Sequence, residues 1–131
     1  MTLFREGWFT GSSGLDLFGK IDCDALTDED LHCCALWILN KLGDTWSGVE
    51  GVPTGGKRLS NIILGIMKFD MQAPFLIVDD VMTTGKSMEL FKDEIRNNLK
   101  EPRHIKGAVI FQRGASKYWV TPLFVFNRGF F

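Results

Sequence analysis

The sequence is short of the residues that indicate several common protein classes. Its 131 residues include only three cysteines, two histidines and one tyrosine. The cysteines Cys23, Cys33 and Cys34 are odd in number, two of them are adjacent, and none forms a C-x-x-C pair. Neither a disulfide framework nor a zinc site is therefore expected, and we interpret all three as reduced structural thiols.

Long apolar runs and long runs of one charge are also missing. No stretch approaches the roughly 18 to 20 apolar residues that span a bilayer, and Arg5 and Glu6 stand where a secretory leader would have its apolar core. No basic run is longer than Lys57-Arg58, and the formal net charge is -1, which argues against a nucleic-acid-binding surface. We expect a cytoplasmic protein whose partner is a small molecule.

Strands and helices alternate along the chain. Apolar residues at helical spacing predict helices over 27–42, 59–67 and 86–99, and apolar runs predict strands over 46–52, 75–78, 105–111 and 123–126. This alternation predicts a single α/β domain over residues 1–131, with a mostly parallel sheet and helices on both of its faces. The segment up to about Asp24 is richer in Gly and Ser, and we expect it to form a small N-terminal hood.

The loop after the second predicted strand carries the most chemistry. In an open parallel sheet, ligands bind where strands end and helices begin, because helix N-termini present unpaired N–H groups. Asp79 and Asp80 supply acceptors that suit sugar hydroxyls or a metal ion. The residues that follow supply donors that suit a phosphate: Thr83, Thr84, Gly85, Lys86 and Ser87. The loop therefore offers both halves of a ribose phosphate.

Three other interpretations of this loop compete. Gly85-Lys86-Ser87 ends like a Walker A loop, but Asp80 stands where that pattern requires a glycine. Paired aspartates also follow a strand in phospho-acceptor receiver domains, yet no phosphoacceptor is evident on another strand end. A polar turn that merely caps a helix would explain Asp80 and Thr84 but hardly the whole string. Ribose phosphate explains most of it.

The stretch from Phe75 to Ser87, Phe-Leu-Ile-Val-Asp-Asp-Val-Met-Thr-Thr-Gly-Lys-Ser, resembles the signature of type I phosphoribosyltransferases. In that family the acidic pair meets the ribose hydroxyls and the turn wraps the 5-phosphate. The resemblance therefore implies a ribose-phosphate site made by Asp79, Asp80, Val81, Met82, Thr83, Thr84, Gly85, Lys86 and Ser87. A metal ion would be held mainly through the ligand and only weakly by Asp79 and Asp80.

A second loop, Gly51-Val52-Pro53-Thr54-Gly55-Gly56-Lys57-Arg58-Leu59, resembles the family's pyrophosphate loop. There, backbone N–H groups and a basic side chain hold the leaving group together with magnesium. The resemblance implies pyrophosphate contacts from Pro53, Thr54, Gly55, Gly56 and Lys57. A simple strand-to-helix turn is the alternative for this loop taken alone.

Within the family, two segments resemble the orotate branch: Phe9-Thr10-Gly11-Ser12-Ser13-Gly14 and Phe111-Gln112-Arg113-Gly114. They imply base contacts from Ser12, Ser13, Lys20 and Arg113, with Arg113 facing the base carboxylate. Ser12 stands where the orotate enzymes usually carry a lysine, and Lys20 is the nearest substitute. The alternative for Arg113 is a solvated charge at a strand end.

The resemblance implies a phosphoribosyltransferase that moves the ribose 5-phosphate of 5-phosphoribosyl-1-pyrophosphate to a nucleobase, orotate or a related pyrimidine. The implied catalytic residues are Asp79, Asp80, Lys57 and Arg58, with Mg2+ as cofactor. Residues 68–73 are too few for the family's long mobile hairpin, so we expect slow turnover. The rival function is a non-catalytic regulatory module that binds ribose phosphate or a nucleotide, against which Lys57 and Arg58 argue modestly.

Two remaining groups of residues receive plainer interpretations. The positions that might suggest a nucleophile are interpreted as helix residues: His32, Cys33, Cys34 and Ser60. The aromatic residues Trp8, Trp119, Phe130 and Phe131 exceed what a small sheet needs, so they pack in the core and hood or are buried in a homodimer.

Overall fold

The fold was analysed in a computed structural model that describes residues 3–10 and 16–126, with side chains described for 3–5 and 21–126. Eight strands and three α-helices are found in that part of the chain. The strands are β1 Phe4–Thr10, β2 Asp16–Ile21, β3 Thr45–Trp46, β4 Gly48–Gly51, β5 Lys68–Phe69, β6 Phe75–Met82, β7 Ile105–Arg113 and β8 Val120–Phe126. The helices are α1 Asp28–Leu42, α2 Lys57–Ile66 and α3 Lys86–Asn98.

The central sheet has four strands in the order β4-β6-β7-β8, and all three pairings are parallel. Each of its middle strands contains a continuous apolar run, Phe75 to Val78 in β6 and Ala108 to Phe111 in β7, as expected of a sheet that is covered on both sides. In β6, Leu76, Ile77 and Val78 are fully buried, and in β7 Val109 and Ile110 are too. The predicted parallel sheet is confirmed.

The helices lie on both faces of this sheet, also as predicted. On one face α1 and α2 pack with Leu76, Val78 and Ile110 in a single apolar cluster. On the other face Ile77 and Val109 pack in a second cluster that includes Met88 of α3. Successive residues of a strand point to opposite faces, which explains why Ile77 and Val78 belong to different clusters.

The first helix begins where its sequence predicts. The Thr27 hydroxyl accepts a hydrogen bond from the Asp30 N–H at 3.0 Å, and the Asp30 carboxylate accepts one from the Thr27 N–H at 2.9 Å. This capping box satisfies two of the N–H groups that a helix start leaves unpaired. Gly43 ends the helix with φ 102°, a conformation that favours glycine.

The predicted strand over 46–52 is wrong as a single element. Trp46 belongs to β3, which pairs with β5, whereas β4 begins at Gly48 and pairs with β6. The β3–β5 pairing matters for the connection between α2 and β6. Because Lys68 and Phe69 pair with Thr45 and Trp46 in a separate two-stranded sheet, this short connection is attached to the segment that precedes β4.

The N-terminal hood is an antiparallel hairpin of β1 and β2. The predicted base residues Ser12 and Ser13 lie outside the described residues, and Lys20 lies in β2 with its side chain undescribed. None of the described helices has the length and apolar character needed to cross a membrane.

Of the two explanations given for the extra aromatic residues, core packing applies to Trp119, which is 8% exposed and packs in the cluster beneath α3. The side chains of Trp8, Phe130 and Phe131 lie outside those described.

Candidate functional site

The candidate site lies at the carboxyl-terminal edge of the sheet. Because β4, β6 and β7 are parallel, their ends bring together three segments that are far apart in sequence. These are the loop 52–56, the turn 83–85 and the strand end at Gln112 and Arg113. The site is therefore formed by the order of the strands in the sheet, and not by residues that are close together in the sequence.

Strand β6 extends four residues beyond the predicted end at Val78, and this changes the interpretation of the acidic pair. Asp79 and Asp80 lie within the strand, where Asp79 pairs with Val109 of β7. Adjacent strand residues point to opposite faces. Here the alternation is not regular, since β7 pairs with Asp79 and Val81 but not with Asp80, and the two carboxyl groups interact through a side-chain hydrogen bond. Asp79 and Asp80 therefore form one acidic pair.

Asp79 is a buried acid. It is 8% exposed, and its Oδ1 accepts a hydrogen bond from the Asp80 N–H at 2.8 Å. Burial, and next the negative charge of Asp80, raise the pKa of Asp79 to about 8. The raised pKa favours the protonated carboxyl at neutral pH, and in that form it can both donate to and accept from a sugar hydroxyl.

Asp80 contacts the loop that follows β4. Its Oδ1 accepts a hydrogen bond from the Val81 N–H at 2.7 Å. A β-carbon placed on Gly55 would lie 2.8 Å from Cγ and 2.9 Å from Oδ1 of Asp80, so any side chain at Gly55 would collide with the carboxylate. The absence of a side chain at Gly55 is thus what lets the two predicted loops meet.

The rest of this loop is tightly folded against β6. Val52 N–H donates to Val78 O at 2.9 Å, and a β-carbon on Gly56 would lie 2.5 Å from the same carbonyl oxygen. Gly56 N–H donates to Val52 O at 2.8 Å, so it is not available to a ligand in this conformation. Of the two glycines that the sequence assigned to pyrophosphate, Gly55 is the better placed.

The turn after β6 forms the start of α3. Gly85 is the N-cap of that helix and has φ 82°, which only glycine adopts without strain. Lys86 N–H reaches the Thr84 hydroxyl at 3.3 Å, and the side chains of Lys86 and Ser87 are exposed. The unpaired N–H groups and positive dipole of the helix start make this turn suitable for an anion.

The two basic residues predicted to hold pyrophosphate differ in their positions. Lys57 is exposed at the first position of α2. The Arg58 guanidinium instead donates to the Asp28 carboxylate at 2.9 Å and to Leu26 O at 3.1 Å. It ties α2 to the start of α1, and a role in pyrophosphate binding would require this link to break.

Arg113 does not occupy the position of a solvated strand-end charge. It is 3% exposed, and burial lowers the pKa of its guanidinium. Its neighbour Gln112 is 5% exposed, and the Gln112 Oε1 is buried with no hydrogen-bond partner among the described atoms. The end of β7 therefore concentrates polar groups inside the protein, which is costly unless they serve a purpose.

Two residues near the site were missed by the sequence interpretation. Lys117 lies against Gly85 of the phosphate turn; it could have been noticed as the single basic residue between the last two strands. Cys23 is half-buried, and burial, followed by the charges of Asp80 and Asp79, raises the pKa of its thiol. The Cys23 thiol therefore lies near the acidic pair but in its unreactive, protonated form.

The described side chains do not build a metal cage. No group of three or more His, Cys, Asp or Glu side chains in that part of the chain is arranged to hold an ion. Asp79 is buried and bonded to its own strand, so Asp80 is the better placed of the two to offer an oxygen. This donor set fits an ion that takes most of its ligands from a bound phosphate or sugar.

Compared by sequence, the chain matches no protein-family model and no curated protein significantly. Its structure does match solved ones. An orotate phosphoribosyltransferase from Aeropyrum pernix superposes with a TM-score of 0.68 at 21% identity, covering 94% of this chain and 88% of that chain. For the orotate phosphoribosyltransferase of Mycobacterium tuberculosis H37Rv the TM-score is 0.64 at 14% identity, with 93% and 89% covered.

Purine enzymes match over less of the chain. The xanthine-guanine-hypoxanthine phosphoribosyltransferase of Helicobacter pylori superposes with a TM-score of 0.50 at 17% identity, covering 77% of this chain and 84% of that chain. The protein therefore has the type I phosphoribosyltransferase fold, as the sequence predicted. Among these structures the orotate enzymes superpose with the higher TM-scores.

Proposed function

We propose that the protein is a phosphoribosyltransferase that moves ribose 5-phosphate from 5-phosphoribosyl-1-pyrophosphate to a nucleobase, with orotate or a related pyrimidine as acceptor. The observation that carries this proposal is the contact between Gly55 and the Asp80 carboxylate. It puts the pyrophosphate-type loop beside the acidic pair near the end of β6, and the phosphate turn at Gly85 comes directly after that strand. 5-Phosphoribosyl-1-pyrophosphate has its pyrophosphate, its ribose hydroxyls and its 5-phosphate in the same order.

The proposed reaction breaks the bond between C1 of the ribose and the pyrophosphate oxygen, and the bonding electrons leave with pyrophosphate. A ring nitrogen of the base then bonds to C1, and the proton of that nitrogen passes to the departing pyrophosphate or to water. No covalent enzyme intermediate is needed, so the protein acts by positioning the reactants and by stabilising charge. Lys57 and the N–H of Gly55 are proposed to hold the departing pyrophosphate, while Asp79 and Asp80 hold the ribose hydroxyls.

Magnesium is proposed to enter with the substrate, where it would neutralise pyrophosphate charge. Asp80 would be its contact on the protein, in keeping with the donor set described above. The base is proposed to lie between the hood and the end of β7, with Arg113 as a contact for a base carboxylate or carbonyl. Ser12, Ser13 and Lys20 of the hood are proposed as its other contacts.

Turnover is proposed to be slow because the connection between α2 and β6 is short and is held by the β3–β5 pairing. A site without a lid admits water, which weakens electrostatic stabilisation and competes for the activated sugar. A turnover number of about 10 per second or more, typical of metabolic enzymes, would contradict this part of the proposal.

The rival proposal is a regulatory module that binds ribose phosphate or a nucleotide without transferring it. Two observations favour it: the short connection between α2 and β6, and the hydrogen bond of Arg58 to Asp28 instead of an engagement with the pyrophosphate-type loop. The two proposals agree on the phosphate turn and on Asp80. They differ in whether pyrophosphate binds and whether a nucleotide is formed.

The deciding experiment is calorimetric titration with 5-phosphoribosyl-1-pyrophosphate and Mg2+, followed by incubation with a mixture of nucleobases and detection of nucleotides by mass. The test variant is Asp79→Asn plus Asp80→Asn. The matched control is Asp93→Asn plus Glu94→Gln, which removes two exposed adjacent charges from α3. We expect binding and product with the wild type and the control, and the loss of both in the test variant.

Other outcomes are equally informative. Binding without product would support the regulatory module. Equal binding by the test variant and the control would contradict a ribose site at Asp79 and Asp80, and no binding by the wild type would remove both proposals.

We also propose a homodimer, supported by an apolar surface that the chain leaves exposed. Trp37 of α1 is 53% exposed and packs beside Phe124 of β8, with ring centroids 5.6 Å apart. Both line an apolar cavity of about 510 Å³. Light scattering should give a dimer mass that Trp37→Glu reduces to the monomer; the control Leu90→Glu changes an exposed leucine of α3. A monomeric wild type would refute the dimer.

A further inference from the structure

Lys117 lies over the phosphate turn although it belongs to a different part of the chain. It is in the connection between β7 and β8. A β-carbon placed on Gly85 would lie 2.5 Å from Cε and 3.0 Å from Cγ of Lys117. The aliphatic stem of the lysine therefore covers the α-carbon of the glycine that caps α3. This contact brings an ammonium group to the end of a helix that already favours anions.

Two anchors fix the connection that carries Lys117. Ala115 N–H donates to Thr83 O at 3.2 Å, which attaches the connection directly to the phosphate turn. On the other side of Lys117, the Trp119 indole N–H donates to Glu89 Oε1 at 2.7 Å, and the Trp119 ring is buried. The connection is thus held on both sides of Lys117, which fixes the position of its backbone beside the phosphate turn.

The ammonium is only loosely engaged. Its Nζ lies 3.8 Å from Glu89 Oε1, and the two side chains are 32% and 36% exposed. The same Glu89 oxygen already accepts the short hydrogen bond from Trp119. A long, partly exposed ion pair of this kind contributes little to stability. A doubly charged phosphate at the helix start would compete for the ammonium, since charge-assisted hydrogen bonds are the stronger ones.

We infer that Lys117 is a phosphate-binding residue, whose ammonium donates to the 5-phosphate that the turn 83–87 holds. This inference rests on the proposed function and adds to it a cation from outside the turn. The ligand class is a monosaccharide phosphate or nucleoside monophosphate. The competing role is structural, in which Lys117 only covers Gly85 and remains with Glu89.

The test is calorimetric titration of three variants with ribose 5-phosphate, with ribose and with pyrophosphate in the presence of Mg2+. Lys117→Met removes the charge and keeps the aliphatic stem over Gly85, and Lys117→Arg restores a cation. Lys41→Met is the control, because Lys41 is an exposed lysine in the last turn of α1. Melting temperatures are measured alongside to detect damage to the fold.

We expect Lys117→Met to weaken ribose 5-phosphate binding about tenfold, the usual size of one lost charge-assisted contact. Lys117→Arg should recover most of the affinity. Pyrophosphate binding should change less than twofold in both variants, which shows that the loop after β4 is intact. The loss should also shrink at high salt, because the contact is electrostatic.

An unchanged ribose 5-phosphate affinity in Lys117→Met would overturn the inference while leaving the proposed function standing. An equal loss for ribose 5-phosphate and pyrophosphate would also overturn it, since that pattern indicates general damage to the fold. Failure of the wild type to bind ribose 5-phosphate at all would instead refute the proposed function, and the inference with it.

Discussion

Asp79→Asn should stabilise the folded protein at alkaline pH while it impairs ribose binding. Asp79 is buried, and its pKa is raised from the usual 3.8 to about 8. At a pH between those two values, Asp79 keeps its proton in the folded chain and has released it in the unfolded chain. The free energy of unfolding therefore falls as pH rises through this window. Above about pH 8 Asp79 is deprotonated in both states, so its contribution no longer changes with pH.

The size of the effect follows from linkage. A group that is protonated only in the folded state changes the free energy of unfolding by about 1.4 kcal/mol per pH unit. From pH 5 to pH 8 the limit is about 4 kcal/mol. Because the variant removes the titrating group itself, we expect Asp79→Asn to gain up to about 4 kcal/mol on the wild type over that range. An asparagine keeps the oxygen that accepts the Asp80 N–H, so the strand is preserved.

The assay is urea unfolding at pH 5, 6, 7 and 8, followed by the fluorescence of the tryptophans, of which Trp46 is 2% exposed. Asp93→Asn on the exposed face of α3 is the control, and its curve should run parallel to that of the wild type. Parallel curves for Asp79→Asn and the wild type would refute the reasoning, because they would show that Asp79 titrates at its ordinary pKa in the folded protein.

Two further predictions concern Gly55 and Trp119. Gly55→Ala should abolish binding of 5-phosphoribosyl-1-pyrophosphate, because its methyl group would collide with Asp80. Gly65→Ala should instead raise the free energy of unfolding by about 0.5 to 1 kcal/mol, because the new methyl would meet no atom within 4 Å apart from the adjacent residues and backbone of its own helix. Calorimetry and urea unfolding check both, and normal binding by Gly55→Ala would contradict the contact. Trp119→Phe should lower the free energy of unfolding by about 1 to 3 kcal/mol, since it leaves Glu89 without its indole donor; an unchanged unfolding midpoint would show that the bond is not formed.

The elements that were predicted well depend on local signals. The start of α1 is given by a capping box four residues long, and its buried face by apolar residues at helical spacing. The middle strands are buried on both faces, so their continuous apolar runs indicate strands in a parallel sheet. For such elements the sequence contains the information within a short window.

The elements that were predicted poorly depend on pairing between distant residues. Val78 looks like the end of a strand because two aspartates follow, but β7 provides partners as far as Gln112, and the ladder continues to Met82. Trp46 was separated from β4 because it pairs with the strand at Phe69, which no local pattern reveals. Backbone pairing overrides the local polarity in both places.

The same limit applies to the site. The two resemblances located the loops but not the contact between Gly55 and Asp80, which requires β4 and β6 to be neighbours in the sheet. The position of Arg58 on Asp28 depends on the packing of α2 against α1. Lys117 reaches Gly85 only because β7 and α3 meet at the same edge. Residue roles that come from separate elements need the fold before they can be assigned.

Asp79 itself argues that the site is functional. An ionisable carboxyl in the middle of a buried strand costs stability, and an apolar residue at that position would suit both neighbouring strands better. The cost is not relieved by an ion pair among the described side chains, and its neighbour Asp80 increases it. Conflicts between local preference and global fold concentrate where a ligand uses them. A sugar that donates to the carboxyl would offset the cost on binding, so ligand binding should depend on pH in the same window as stability does.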